Sequence, residues 1–171
     1  MAATLGSAPP PPVAYDDHVR GSGPEAIVYL DLACPRCAAT WAEIAALPLR
    51  LCARHFPIKG KRPRSPALHA AAEAAGLQSE EAFWSFWDSL LADRAHADDP
   101  HLWERAEALG LDLERFERER RSEAVAERVR RDFRSGIKAG IVATPTGFVD
   151  GAALGSDVVT ELAALSAHPH L

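Results

Sequence analysis

Two cysteines separated by two residues, Cys34-Pro35-Arg36-Cys37, constrain this chain more than any other feature. An apolar run precedes the motif and a helix-forming run follows it, which places the pair between a strand and the first turn of a helix. The unpaired N–H groups and about half a positive charge at a helix N-terminus stabilise the thiolate of Cys34. Pro35 fits that turn because the N–H it lacks would be unpaired there. We expect the charge of Arg36 to lower the thiol pKa further.

A Cys-x-x-Cys motif occurs both in redox proteins and as half of many zinc sites. Cys37, one helical turn after Cys34, is placed to attack a disulfide formed at Cys34. The seven histidines are scattered, and none has metal-ligand spacing to the two cysteines. The sequence therefore does not favour a structural zinc site. We expect His55 to end a strand in a hydrogen bond, and His168 and His170 to belong to a C-terminal tail.

A second signature lies far downstream, where residues 140–151 read as a loop, the pair Thr144-Pro145, a short strand and a turn. With both signatures in place, the chain resembles the thioredoxin superfamily and, within it, the DsbA-like thiol-disulfide oxidoreductases. The resemblance covers nearly all of residues 23–165. It implies that the peptide bond before Pro145 is cis, an uncommon isomer, and that this proline faces the Cys-x-x-Cys motif.

The resemblance also implies the roles of individual residues. Cys34 is expected to be the nucleophile and Cys37 the resolving residue, while the backbone of Thr144 pairs with an extended substrate segment beside Pro145. No cofactor is expected beyond the redox-active disulfide of the two cysteines. The expected partners are protein thiols or disulfides and an unidentified redox partner.

The order of the predicted elements agrees with that class. A strand at 26–31, a helix at 35–47 and a strand at 49–56 favour a parallel pair with a right-handed crossover. The resemblance implies an α/β fold, a thioredoxin fold with an inserted all-helical subdomain. The predicted regions are a disordered proline-rich tail with a candidate edge strand at 1–23, a thioredoxin core at 24–64 and 137–171, and a helical insertion at 65–136.

Helix signals fill the insertion. Ser65 is expected to cap a first helix over 66–76, and Ser79 opens a second. A third is expected over 100–109. Asp112 is expected to cap a fourth, longer helix that carries Leu113, Phe116, Val125, Val129 and Phe133. After the second signature, Ser156 is expected to cap a closing helix that ends near residue 167.

The composition bears on the number of domains and on the kinds of partner that the protein can have. The chain has 171 residues, 47% of them hydrophobic, and a net charge of -5. We therefore predict one globular domain with no nucleic-acid or membrane partner. The N-terminal segment has neither a basic region nor an apolar stretch, so we predict a cytoplasmic protein, with an exported protein that has lost its signal as the alternative. Cys52, the third cysteine, is expected to be a partly buried strand residue.

Two details remain open at this stage. The basic loop at 59–64 holds four cations in six residues, and we interpret it as a solvated loop rather than an anion-binding site. Many relatives carry an acid six positions before the first cysteine, where it takes the proton of the resolving thiol, whereas this chain has Val28. Asp31, three positions before Cys34, is interpreted either as a residue that orders the loop or as a group that transfers protons.

Three functions remain in competition. The first is a thiol-disulfide oxidoreductase acting on protein thiols. The second is a glutathione-dependent transferase or isomerase of the kappa-class type, which usually has a serine-based site in place of the cysteine pair. The third is a binding module that uses the groove beside Pro145. The direction of exchange is also open, because Arg36 favours an oxidising pair whereas a cytoplasmic location favours reduction.

Overall fold

The computed structural model describes residues 8–168, and this part of the chain forms one mixed sheet and seven helices. The strands are β1 (His18–Arg20), β2 (Glu25–Leu30), β3 (Arg50–His55), β4 (Thr146–Val149) and β5 (Ala152–Ala153). The helices are α1 (Pro35–Ala45), α2 (Ser65–Gly76), α3 (Glu80–Ala92), α4 (Asp99–Ala108), α5 (Leu113–Arg120), α6 (Glu123–Lys138) and α7 (Val158–Ala167). No helix among residues 8–168 is long and apolar enough to cross a membrane.

The strand order in the sheet is β1-β3-β2-β4-β5. The central strand β2 pairs parallel with β3 and antiparallel with β4, and β1 pairs antiparallel with β3 at one edge. The predicted strand–helix–strand unit and the predicted edge strand are thereby confirmed. Because β2 and β3 are parallel, the segments that follow them leave the same end of the sheet. The loop that carries Cys34 therefore meets the segment that leads into α2.

The apolar residues of β2 and its neighbours serve two cores. The larger core joins Val28 and Leu30 to α1 and to the helical insertion, where Phe83 and Trp87 are fully buried. The smaller core lies around Tyr29 and also contains Phe56, Phe148 and part of α6. Since β2 is covered on both faces, nearly all of its residues are buried. The loop that carries Cys34 thus begins at the end of a buried strand.

The predicted fourth helix is wrong in its extent, because the structure divides it into α5 and α6. Ser122 breaks it by capping α6, since its side chain accepts a hydrogen bond from the N–H of Val125. The cap of α7 is Asp157 rather than Ser156. Ser65 is the first residue of α2 and makes no cap; its hydroxyl donates to Asp31 instead.

The proline-rich tail makes defined contacts from residue 8 onward, which differs from the disorder that its composition predicts. The N–H of Ala8 donates to the carbonyl of Lys138 at 2.8 Å, and Pro10 is buried. The carbonyl of Pro12 accepts a hydrogen bond from Arg54 at 3.2 Å. Residues 1–7 of the predicted tail and residues 169–171, with His170, lie outside the described residues.

Candidate active site

The chain leaves β2 and enters α1 at the two cysteines. Cys34 is the N-cap residue of α1 with extended backbone (φ −81°, ψ 126°), Pro35 occupies the first turn, and Cys37 follows within that turn. Both cysteines carry free thiols, and their exposed fractions are 2% for Cys34 and 0% for Cys37. The predicted position at the start of a helix is confirmed.

The second signature lies directly against the first. The Thr144-Pro145 peptide bond is cis, as predicted. The sulfur of Cys34 lies 3.6 Å from the carbonyl oxygen of Thr144. The hydroxyl of Thr144 is buried and has no hydrogen-bond partner among the described residues. The side chain of Thr144 nevertheless lowers the pKa of Cys34, so its free hydroxyl is the donor that a thiolate at Cys34 would gain.

The surroundings of Cys34 favour its thiolate. The hydrogen bond from the thiol of Cys37 is the largest cause, and against the effect of burial it lowers the pKa of Cys34 from 9.0 to about 5. Thr144, the backbone N–H of Cys37 and the charge of Arg62 act in the same direction. At neutral pH, Cys34 is therefore almost fully ionised.

Cys37 behaves in the opposite way. Burial raises the pKa of the Cys37 thiol strongly, and the neighbouring Cys34 raises it further. Cys37 therefore stays protonated and remains the hydrogen-bond donor to its partner. The site holds one thiolate and one thiol on the same helical turn, which is the arrangement expected of an attacking and a resolving sulfur.

The cation that helps Cys34 comes from the basic loop. Arg36 is exposed, and its guanidinium donates to the carbonyl of Ser156 at 3.3 Å. Arg62 instead contributes a positive charge that lowers the pKa of Cys34, with a smaller effect than the hydrogen bonds of Cys37 and Thr144. This differs from the prediction for Arg36, and the interpretation of the loop as solvated is wrong for Arg62, which bonds a buried carboxylate. The loop and the motif meet because both leave the same end of the sheet.

That buried carboxylate belongs to Asp31, at the end of β2. One oxygen accepts the N–H of Ala33 at 2.9 Å and the hydroxyl of Ser65, and the other accepts the N–H of Ile58 and the guanidinium of Arg62, each at 3.1 Å. Burial by itself raises the pKa of Asp31, but the neighbouring His69, followed by the hydrogen bonds from Ser65 and Ala33, holds it well below the usual range. A carboxylate with both oxygens occupied and a low pKa is a poor proton acceptor. These contacts support the interpretation that Asp31 orders the loop.

A family model described as a DSBA-like thioredoxin domain matches residues 26–165 of the chain. The chain belongs to this family. Two solved structures show the same fold. The thiol-disulfide exchange protein alpha-DsbA2 from Wolbachia pipientis superimposes with a TM-score of 0.74, 18% identity, and coverage of 91% of this chain and 83% of that one. Oxidised BdbD from Bacillus subtilis gives a TM-score of 0.72, 17% identity, and coverage of 92% and 97%.

The sequence relatives of this DSBA-like domain are much longer proteins. A protein named Na(+)/H(+) antiporter NhaA from Herminiimonas arsenicoxydans is 39% identical over 153 residues, which cover 82% of this chain and 24% of the antiporter. The chain spans about a quarter of the length of the relatives it matches in this comparison. The similarity therefore concerns a domain-sized segment of those proteins.

The structure places two further residues that the sequence analysis singled out, Val28 and Cys52. Val28 is fully buried in the larger core, between Ala53 and Gly147 on the neighbouring strands. An apolar side chain thus occupies the place of the acid found in many relatives. Cys52 is fully buried in the smaller core, and burial raises its pKa. The predicted strand position is confirmed, whereas the side chain is fully rather than partly buried, and its enclosed thiol stays protonated.

Three residues that touch the active-site loop were not identified from the sequence: Arg62, Ser65 and His69. Ser65 had the pattern of a helix cap, and His69 lies in an alanine-rich helix that reads as core. The signal that could have identified them is the topology of the parallel strand pair. In a parallel pair, the segment after the second strand returns past the loop after the first, so polar residues at 56–69 were candidates for contacts with Asp31.

Proposed function

We propose that the protein is a thiol-disulfide oxidoreductase that exchanges disulfides with protein thiols through Cys34 and Cys37. One observation carries this proposal: two thiols on one helical turn have opposite pKa shifts. The pKa of Cys34 is lowered to about 5, and that of Cys37 is raised. The Thr144-Pro145 segment lies against the thiolate. The redox pair itself is the proposed reactive group, with no further cofactor.

In the oxidising direction, the site begins as a Cys34–Cys37 disulfide. A substrate thiolate attacks the Cys34 sulfur, and the bond to Cys37 breaks. Cys37 leaves as a thiolate and takes up a proton, since burial raises its pKa. A second substrate thiolate then attacks the substrate sulfur of the mixed disulfide and releases Cys34 as a stable thiolate. Two electrons pass from the substrate to the enzyme, and the substrate acquires the disulfide.

The stabilised thiolate of Cys34 also favours the oxidising direction. Stabilising the Cys34 thiolate stabilises the reduced enzyme, so the disulfide is easier to reduce and the pair is more oxidising. We therefore propose an oxidase of protein dithiols, which selects between the two directions left open by the sequence. A cytoplasmic location stays a prediction, and it would expose the pair to reducing thiol pools.

The surface beside the sulfurs suits an extended, partly apolar substrate. Val142, two residues before Thr144, is 86% exposed. We propose that a substrate strand pairs with the backbone near Thr144 and places an apolar side chain against Val142. Backbone pairing gives affinity without requiring one particular substrate sequence.

The test is oxidation of a reduced two-cysteine peptide by the protein in its disulfide form. Wild type is expected to oxidise the peptide, whereas Cys34→Ser is expected to be inactive. Reduced Cys37→Ala, mixed instead with the peptide in its disulfide form, is expected to accumulate a mixed disulfide on Cys34, because the Cys34 thiolate breaks the peptide disulfide and no resolving thiol follows; mass spectrometry identifies the adduct. Cys52→Ala, which removes a buried thiol on the other face of the sheet, is the matched control and should retain activity.

Three results would change the proposal. Oxidation of the peptide by Cys34→Ser would contradict it directly. Glutathione transfer to an electrophile, together with failure to exchange disulfides, would favour the small-thiol transferase. Binding of the peptide by wild type and Cys34→Ser without any exchange would favour a binding module.

A second candidate function has the same disulfide exchange but a membrane protein as the substrate. The 39% identity to a segment of a Na(+)/H(+) antiporter favours a thiol-disulfide domain that serves such a membrane protein. In this case reduced Cys37→Ala should attack a disulfide of the antiporter and form a mixed disulfide with one of its cysteines, releasing the other as a thiol, when both proteins are present in one membrane preparation. Loss of that adduct in the Cys34→Ser, Cys37→Ala double variant is the control.

A further inference from the structure

A row of buried titratable side chains runs from the active-site loop to Glu80, a half-exposed residue at the start of α3. His69 in α2 and His55 at the end of β3 are fully buried, and Glu73 in α2 and His18 in β1 are nearly so. The disulfide-exchange mechanism uses none of them. Their hydrogen bonds form an unbroken series that ends at Glu80, whose side chain is 51% exposed.

The series begins at the loop that carries Cys34. Nε2 of His69 lies 3.0 Å from the backbone nitrogen of Leu32, and this N–H is its donor. The other neighbour of that ring nitrogen, Oδ1 of Asp31, is 3.7 Å away, which is too long for a hydrogen bond. Nε2 therefore accepts, and the ring proton is on Nδ1. Burial lowers the pKa of His69 to about 4, which agrees with a neutral ring.

The tautomer of His69 fixes the tautomer of His55. The two Nδ1 atoms are 2.8 Å apart, and because His69 donates, Nδ1 of His55 accepts. The proton of His55 is then on Nε2, which donates to Oε2 of Glu73 at 2.9 Å. Every donor on this side of Glu73 points toward its carboxylate, which is the orientation in which each hydrogen bond polarises the next.

On the other side of Glu73, His18 and Arg128 stabilise its negative charge. Nε2 of His18 lies 2.8 Å from Oε2 of Glu73, and Nδ1 of His18 lies 3.0 Å from a carboxylate oxygen of Glu80. An imidazole between two carboxylates is a donor at both nitrogens and carries a positive charge. Nε of Arg128 is 3.7 Å from the other oxygen of Glu73. Glu73 thus remains ionised in a buried position.

We propose that His69, His55 and Glu73 form a positioning relay that holds the active-site loop in the geometry that stabilises the Cys34 thiolate. The inference rests on the proposed function. The Glu73 carboxylate fixes both ring tautomers, and His69 consequently presents a lone pair to Leu32, two residues before the nucleophile. Without that lone pair, the N–H of Leu32 would be buried without a partner, and the loop would move to satisfy it.

The same side chains have the composition of a metal site. Ligand atoms of His18, His55 and Glu73 all lie within 4.8 Å of one another, and two imidazoles with a carboxylate are a common zinc ligand set. The tautomers argue against a metal. Nε2 of His55 carries a proton because its Nδ1 accepts from His69, so it has no lone pair to offer. The relay and a metal site therefore make opposite predictions for that nitrogen.

The experiment uses two amides that each replace one nitrogen of the His69 ring. In His69→Gln, the amide oxygen can take the place of Nε2 and accept the N–H of Leu32. In His69→Asn, the amide lies near the position of Nδ1, so the contact with His55 can persist while the one with Leu32 is lost. Both variants bury one amide, which matches them for polarity.

The readout is the pKa of Cys34, measured from the ultraviolet absorbance of the thiolate during a pH titration of the reduced protein. We expect His69→Asn to raise this pKa by about one unit, a tenfold loss in the ionisation constant, because a displaced loop weakens the contacts that favour the thiolate over the thiol. We expect His69→Gln to shift it by less than half as much. Equal values in the two variants and wild type would overturn the relay alone. A wild-type pKa near the ordinary value would overturn the proposed function and the relay with it.

A second measurement does not depend on the folding of a variant. The ring ¹⁵N chemical shifts of wild type report which nitrogen of each histidine carries a proton. The relay predicts a proton on Nδ1 of His69 and on Nε2 of His55, unchanged when zinc is added. A proton on Nε2 of His69, or loss of the Nε2 proton of His55 on adding zinc, would overturn it.

Discussion

The low pKa of Cys34 can be tested by removing its largest cause, the hydrogen bond from the thiol of Cys37. A hydrogen bond to a charged group contributes about 1.5–3 kcal/mol, and one pKa unit corresponds to about 1.4 kcal/mol. Cys37→Ala should therefore raise the pKa of Cys34 by about one to two units, from about 5 to between about 6 and 7. The remaining causes, Thr144 and Arg62, keep it below the ordinary value.

The matched variant is Cys37→Ser, which replaces the thiol with a hydroxyl donor of similar size. Its Cys34 should ionise close to the value for Cys34 in the wild type. The pKa is read from the ultraviolet absorbance of the thiolate and, independently, from the pH dependence of the rate of alkylation by iodoacetamide. If the two variants shift the pKa equally, the hydrogen bond from Cys37 is not the main cause. If neither shifts it, this account of the thiolate is wrong.

Three further predictions concern the surroundings of the pair. Thr144→Val, which deletes the buried hydroxyl, should raise the pKa of Cys34, whereas Thr144→Ser should restore it; equal titrations would refute the role of the hydroxyl. Asp31→Asn should lower the free energy of unfolding in urea by about 2–3 kcal/mol, because a charged partner of Arg62 and three other donors is lost. Since the folded pKa of Asp31 is lowered, the difference from wild type should shrink as the pH falls below about 4, and a difference that persists there would contradict this origin. Burial lowers the pKa of His18, but two carboxylates raise it from 6.5 to about 9. The protonated His18 should therefore add on the order of 3 kcal/mol to the free energy of unfolding below about pH 6.5, and this stabilisation should be lost as the pH rises through about 9. His18→Asn should lack this pH dependence, and a wild type whose stability is flat over this range would contradict the prediction.

Much of the fold was accessible from the sequence because its signals are local. The apolar run before Cys34, the proline in the first turn of α1 and the alternation around Cys52 each define one element by its own residues. The division between α5 and α6 was missed because the helical periodicity of Leu113 to Phe133 continues across Ser122, and a single serine does not show which of its hydrogen bonds prevails.

The site was only partly accessible, for a different reason. Cys34 and Pro145 belong to short motifs, so their roles followed from a resemblance. The contacts of Asp31 with Arg62 and Ser65, which are 31 and 34 residues apart from it in sequence, depend on how the segment after β3 returns past the loop. Arg36 is the reverse case, since adjacency in sequence suggested an influence on the thiolate, whereas its side chain extends to Ser156.

The relay of histidines shows the same limit. His18, His55 and His69 are separated by 37 and by 14 residues, and each of the three is unremarkable in its own stretch of sequence. Only the pairing of β1 with β3, and the side-chain contacts of α2 with both strands, bring them together. Buried polar networks of this kind are set by tertiary structure rather than by local propensity.

The equilibrium reduction potential of the Cys34–Cys37 pair tests the central claim most directly. Reduced and oxidised protein are equilibrated in glutathione buffers, and free thiols are trapped and counted. A stabilised Cys34 thiolate predicts a potential toward the oxidising end of the family, between about -180 mV, as in protein disulfide isomerase, and about -120 mV, as in DsbA. A value near that of thioredoxin, about -270 mV, would contradict the claim that this site is built to donate disulfides.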